Sequence, residues 1–456
     1  MTAIGKAFNK ITDGISAPCL GVIGGICLES STITFIIIGI VLVLYMTELL
    51  PIATTSILAC LALSVFGVLD IGDAFAGFGN HLVYLIVGMV VVGNSLFETG
   101  VAQLLGKKII SRVGTNEKVF VIAIIIVCTA ISCFLNNTAT VAIMLPIAAA
   151  AVGASGGKLL KKNTYMMVGI VAVVGGGLTL VGSTPQLIGQ MNLEEGGHEL
   201  ISFFEISKIG LPVLALTVVY YLTVGDRLQK RVFDFPEVEN AGAESASGGD
   251  EEKPKSTVKM CISVGILIFC VVGFITEEYM PFWNMGMVAM IGAVLCVATG
   301  CISQKRVFEK MDWTTVVIMG CSFGLGNGLR VSGAGRLIAD TAVSLLGESV
   351  TPMLLCAVLA LVAMILTNFM SSTAAATLLV PIAINVALGL GYNVKSVVMA
   401  TVISVNLGYT TPISTPPVTM TLAGGYRFMD YVKVGGLLNL LTYILVVLLF
   451  PVMFSF

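Results

Sequence analysis

Charge is what this sequence has least of. Only 11% of its 456 residues are Asp, Glu, Lys or Arg, against about 25% in a soluble globule. A chain so poor in polar groups cannot cover itself in water, which excludes an ordinary soluble domain. Histidine and tryptophan are nearly missing, with two residues each. No H-E-x-x-H occurs, and no paired aspartates lie inside apolar stretches, so an intramembrane enzyme is not expected. No C-x-x-C occurs. The 11 cysteines sit in or beside apolar runs and read as small buried hydrophobes. A net charge of -2 argues against a nucleic-acid partner. No signal-peptide pattern with a cleavage site is seen, and nothing calls for an organic cofactor.

What is present is hydrophobicity. It reaches 57% of residues, with a mean hydropathy of +1.00. The bilayer is then the expected solvent, in an all-α polytopic membrane protein of about 11 transmembrane helices plus two re-entrant hairpins. A spanning helix needs roughly 20 mostly apolar residues. Such stretches lie at 32–50, 51–69, 82–98, 164–188 and 208–225, then at 258–276, 281–299, 313–330, 395–412 and 432–454. A weaker first span is expected at 14–30. The stretches 118–155 and 352–387 are too long for one crossing. Each carries a polar cluster at its middle, FLNNTAT and FMSSTAA, which fits a hairpin that enters the membrane and turns back.

Lys and Arg set the orientation. With the N-terminus in the cytoplasm, only Lys208, Arg330, Arg336 and Lys395 of the 24 basic residues fall outside. A multi-pass protein of the cell membrane is expected. The chain divides into an N-terminal segment 1–31, a first repeat 32–225, a hydrophilic cytoplasmic linker 226–257 and a second repeat 258–456. The low-complexity run PEVENAGAESASGGDEEKPKST at 236–257 marks the linker.

Four blocks recur in order at an offset near 230 to 235 residues. TELLPI (47–52) returns as TEEYMPF (276–282), and GNSLFETGVAQLL (93–105) as GNGLRVSGAGRLI (326–338). SCFLNNTATVAIMLPIA (132–148) returns as TNFMSSTAAATLLVPIA (367–383), and GSTPQ (182–186) as ISTPP (413–417). By charge the first hairpin opens inside and the second outside, so the repeat is inverted. Inverted repeats, interrupted helices and a midplane site mark secondary transporters.

The tips Asn136-Asn137-Thr138 and Ser371-Ser372-Thr373 each precede a helix start. Free N–H groups there suit a carboxylate. The side-chain and carbonyl oxygens beside them suit a hard cation. The runs GGGLTLVGSTPQLIG (175–189) and GYTTPISTPPVTM (408–420) put Gly, Ser and Thr before Pro inside apolar spans, so the helices at 164–188 and 395–420 should break. No basic residue is expected at the site, leaving dipoles, hydroxyls and bound cations to meet the charge of a small anion.

At these motifs, from about residue 32 to 454, the chain resembles the divalent anion:sodium symporter family of the ion-transporter superfamily. The family has Ser-Asn-Thr at both tips and a Gly-Thr-Pro-Pro-like break in each half. Here Asn136 replaces a serine and Ser372 an asparagine, and Gln186 and Val418 replace the asparagine after the prolines. The resemblance implies a sodium site at Ser132, Asn136, Asn137 and Gly182, and a second at Thr367, Met370, Ser372 and Ser414. It implies substrate contacts at Asn137, Thr138, Ser183, Thr184, Ser372, Thr373, Thr415 and Pro416. It further implies a homodimer, an elevator motion, Na+ as coupling ion and di- or tricarboxylates as substrate. A sodium-independent exchanger, or a sulfate, citrate or arsenite permease of the same superfamily, is the alternative.

Overall fold

The computed structural model describes residues 21–23, 26–47, 49–101, 104, 116–155, 158–235, 256–277, 283–346, 351–412 and 414–454. Most of the N-terminal segment 1–31 and of the linker 226–257 lies outside the described residues. Within 14–30 the described residues before Ser30 do not form a helix. They form an antiparallel ribbon of β1 (Gly21–Ile23) and β2 (Ile26–Leu28), with Val22 opposite Cys27. Glycines at 21, 24 and 25 make helix costly in so short a stretch.

The rest is helical. The first half holds α1 (Ser30–Thr47), α2 (Ile52–Val65), α3 (His81–Thr99), α4 (Glu117–Ser132), α5 (Asn137–Ala154), α6 (Tyr165–Gly176), α7 (Thr184–Glu195), α8 (Ser207–Leu222) and α9 (Val224–Val232). The second holds α10 (Thr257–Thr276), α11 (Met285–Ala298), α12 (Gln304–Lys310), α13 (Trp313–Val331), α14 (Ala334–Leu346), α15 (Pro352–Phe369), α16 (Ser372–Leu390), α17 (Val394–Val405), α18 (Pro416–Met420) and α19 (Phe428–Met453). Six of the described helices are long and apolar enough to cross a membrane alone: α1, α3, α10, α15, α16 and α19. The pair α8–α9, bent by 52°, is a seventh if taken as one span. Several of the remaining apolar stretches form shorter helices, α2, α11 and α17 among them, while α13 runs for 19 residues.

Two packed bodies result. Helices α1, α2, α3, α10, α11 and α13 form one. Helices α4 to α8 and α15 to α19 form the other, with α7, α13, α14 and α16 in contact across the boundary. Close approach in the first body depends on small residues. A Cβ on Gly88 of α3 would lie 2.5 Å from the Ala289 backbone of α11. The outermost helices bury only a narrow stripe. About a third of the apolar window of α1, α15 and α19 is inside, against 67% for α3 and 61% for α16. Their outward faces carry Ile36, Ile40, Val43, Ile365, Ile444 and Leu448. A bare apolar face of this extent is stable against lipid and unstable in water.

Helices α6 and α17 stop short for stated local reasons. Helix α6 ends in Gly175–Gly177, and α7 restarts with Pro185 in its first turn. Helix α17 ends at Asn406, and α18 restarts on Pro416–Pro417. Proline at a helix start gives up a donor that would be unpaired anyway. The irregular segments between are mostly buried, so their backbone groups need partners away from water. Neighbouring segments supply them. Leu180 N donates to Phe203 O at 3.0 Å, Thr410 N donates to Asn368 Oδ1 at 3.0 Å, and Asn368 Nδ2 donates to Leu407 O at 3.2 Å.

Candidate functional site

Helices α4 and α5 meet in a turn at Cys133–Asn136, and α15 and α16 meet at Met370–Ser371. Each second helix is capped by its turn. Asn136 Oδ1 accepts from Thr138 N at 2.8 Å, and Ser371 Oγ accepts from Ala374 N at 3.2 Å. Ser, Asn and Asp are favoured at such positions because their oxygens replace a missing helical acceptor. Both tips, together with both helix breaks, line one cavity of about 640 Å³.

Of the residues named from the sequence, Asn136, Asn137, Thr138, Gly182, Ser183, Thr184, Ser372, Thr373, Thr415 and Pro416 line this cavity. Ser132, Thr367, Met370 and Ser414 are fully buried behind the tips. The hydroxyls of Thr138 and Thr373 have no hydrogen-bond partner among the described residues. The buried Thr415 Oγ1 has none either. Unpaired hydroxyls gathered at one cavity are costly unless something polar occupies it.

Behind the first tip lies an oxygen cluster. Ser132 Oγ donates to Ala172 O at 2.6 Å. The Asn137 carboxamide sits among Ser132 Oγ, Ala172 O and Gly182 O. With its nitrogen turned toward them it donates at 2.6, 3.0 and 3.1 Å respectively. With its oxygen turned inward, 2.6 Å from Ser132 Oγ, four oxygens converge, an arrangement that a cation would stabilise. The nitrogen-inward orientation satisfies its three partners by itself, and the oxygen-inward one offers a donor set for a small hard cation. Space is tight, for a Cβ on Gly176 would lie 2.3 Å from Asn137 Oδ1.

The second tip repeats the arrangement. Thr367 Oγ1 donates to Val405 O at 2.7 Å and lies 3.0 Å from Ser372 Oγ. Ser414 Oγ donates to Thr411 O at 2.9 Å and also reaches Gly408 O. The Thr179 hydroxyl donates to Cys133 O as the Thr411 hydroxyl donates to Asn368 O. Each half thus ties its break to its tip through equivalent atoms. Met370 stands at the end of α15 just before the second tip.

Three features depart from the sequence reading. Asn136 does not join the oxygen cluster through its side chain. Its Oδ1 is spent on the cap, and its Nδ2 donates to Asp312 Oδ2 at 3.3 Å. Charge is not absent from the site, because Lys310 and Asp312 line the cavity. They come from the α12–α13 junction, far from the tips in sequence, which no motif reveals. Asn406 was also missed. It lines the cavity and accepts from Ser183 Oγ at 2.8 Å. An asparagine in the last turn before a Pro-rich break was the available signal.

The two tips are not equally open. Asn136 is exposed, whereas Ser371 and Ser372 are buried. The cavity rim carries the exposed Lys310 and Thr314, so it opens on that side. On the opposite side the bodies are tied. Asn80 Nδ2 donates to Glu194 Oε2 at 3.0 Å, and His81 Nδ1 lies 3.2 Å from Glu194 Oε1. Arg330 stands 3.9 Å from Glu195, at the end of α7 beyond the apolar stretch. Burial pushes the Glu195 carboxyl up to about 7, with Arg330 opposing the shift.

A family model described as citrate transporter matches residues 42–397. An uncharacterized transporter of Haemophilus influenzae is 26% identical over 432 residues, covering 90% of this chain and 89% of that protein. A sodium-dependent dicarboxylate transporter of Staphylococcus saprophyticus is 25% identical over 439 residues, covering 89% and 82%. The solved structure of Neisseria gonorrhoeae MtrF, from a class of antimetabolite efflux pumps, superposes with a TM-score of 0.59 at 12% identity, covering 95% of this chain and 96% of that one. That last likeness shows a shared fold. The protein is a polytopic all-α membrane transporter and not an enzyme, and the chain belongs to the citrate transporter family, among the divalent anion:sodium symporters.

Proposed function

We propose that the protein is a secondary active transporter of small divalent anions, di- or tricarboxylates, coupled to sodium. The observation that carries this reading is the convergence of two tips, two helix breaks and three unpaired threonine hydroxyls on one cavity. The helices α5 and α16 start at that cavity, and their N–H ends suit two carboxylates. Sodium-dependent relatives support the coupling ion, and the oxygens of Ser132, Ala172 and Gly182 around Asn137 are the groups that would hold it once the amide turns.

The body containing the tips moves as a unit past the other, in an elevator-type cycle. Support comes from the contact pattern, in which tips, breaks and α8 and α19 pack together. The count of basic residues supports a cytoplasmic N-terminus and an inward-open cavity in this structure. The two repeats then have opposite topology, and exchanging their conformations would open the other side. The residues taken to meet substrate are Asn137, Thr138, Thr373 and Thr415, with Ser183, Thr184, Ser372 and Pro416 around them. Sodium is held by Ser132, Asn137 and carbonyls of residues 172 and 182, and at a second site by Thr367, Ser372 and Ser414. A homodimer is the proposed assembly, by likeness to the family.

Counterflow in proteoliposomes tests the reading. Vesicles loaded with succinate, citrate or sulfate should accumulate the matching labelled anion, faster in sodium than in potassium. An equal rate in both salts would replace symport with sodium-independent exchange. No accumulation of any of the three would end the reading.

A further inference from the structure

Two ionisable side chains line the cavity, and their charges are not equally available. The Lys310 ammonium lies 2.8 Å from Glu98 Oε1, so most of its charge is met on the spot. Asp312 is met by neutral donors. Its Oδ1 accepts from Thr315 N at 3.1 Å, and its Oδ2 accepts from Thr315 Oγ1 at 2.6 Å and from Asn136 Nδ2 at 3.3 Å. A fixed negative charge therefore stands against the first tip, on the open side of an anion cavity.

The other half carries no charge on the equivalent cap residue itself. Asp312 is the cap of α13, and the equivalent cap in the first half is Asn80, which starts α3 and accepts from Leu82 N at 2.8 Å. The equivalent of Asn136 is Ser371, whose hydroxyl caps α16 and which has no amide to donate. The acid–amide contact is thus particular to one side of the molecule.

We propose that Asp312 is a specificity-determining residue that weakens anion binding on the side where the cavity is open here and so favours release there. The proposal rests on the anion-transport reading above. The carboxylate stands beside the first tip, on the wall of the cavity, and repels a bound dianion there. When the cavity opens on the other side, the neutral Asn80 takes the place of Asp312, and the carboxylate beside it, Glu194 on α7, is met by His81 at 3.2 Å. The site then binds more tightly where it faces Asn80 and more weakly where it faces Asp312.

The test measures half-saturation for labelled succinate separately from each face, in proteoliposomes whose protein orientation has been fixed by protease trimming. Asp312→Asn keeps a good helix cap and removes the charge. It should lower half-saturation on the Asp312 face by roughly three- to tenfold, slow net release on that face, and leave the opposite face within twofold. Asp312→Glu should behave as wild type, which a pure capping role would not require. If Asp312→Asn fails to insert, Asp312→Ser keeps a capping oxygen and carries the same expectation. An unchanged half-saturation on the Asp312 face, or an equal shift on both faces, overturns the proposal while leaving transport intact. Failure of the wild type to carry succinate, citrate or sulfate from either face overturns the transport reading and this proposal with it.

Discussion

Ser183 donates its hydroxyl proton to Asn406 Oδ1 at 2.8 Å. One residue belongs to the break of the first repeat and the other to the break of the second, so each break is held by the opposite half. Replacing Ser183 with alanine leaves a buried acceptor unpaired, at a cost of about 1–3 kcal/mol. The expected outcome for Ser183→Ala is a lowered melting temperature in detergent and uptake reduced about tenfold. Wild-type uptake with unchanged melting would show that this contact does not organise the site.

Thr138 and Thr373 offer the cavity hydroxyls that no described group uses. Thr138→Ala and Thr373→Ala should each abolish uptake while membrane insertion and melting temperature stay near wild type, because no internal hydrogen bond is lost. Normal transport in both variants would remove the tips from the substrate site.

Sodium should stabilise the folded protein through the Ser132–Asn137 cluster. Adding sodium at about 100 times its dissociation constant is worth about 2.7 kcal/mol to the folded state, readable as a rise in melting temperature over potassium. Ser132→Ala removes one ligand and the contact to Ala172 O, and should lose much of that rise. A sodium shift of equal size in the variant would place the ion elsewhere.

Glu195 gives a pH signature. Its carboxyl is raised to about 7 from 4.5 by burial, so the folded state binds a proton that the unfolded state releases. Its penalty is absent below about 4.5, grows as pH rises, and is complete above about 7. Glu195→Gln should therefore be more stable than wild type at pH 8, by on the order of 1–3 kcal/mol, with the gap closing toward pH 5. Arg330 at 3.9 Å limits the gap. A variant equally or less stable at pH 8 would show that the carboxyl is better solvated than its burial implies.

Some of this was legible along the chain because it depends on neighbours in sequence. Hydropathy over 20 residues settles that the chain lives in a bilayer and is helical, since no other open structure satisfies its backbone there. Gly175–Gly177 with Pro185, and Asn406 with Pro416–Pro417, mark helix ends by local sterics. The repeated tips point to paired oxygen clusters because the same residue types stand at the same offset. The fate of residues 21–28 was less legible, as a short apolar run rich in glycine suits a ribbon as well as a helix.

What the sequence by itself determined, then, is the solvent, the helical class and the positions where helices must stop, all set by short-range chemistry. Only the tertiary structure decided which charges reach the cavity. Lys310 and Asp312 lie more than 170 residues from the first tip in sequence, and Asn136 Nδ2 meets Asp312 only because two packed bodies set their helix caps side by side. Tertiary packing also decided that Asn136 serves a cap and a contact across the bodies, leaving Asn137 alone to face the oxygen cluster.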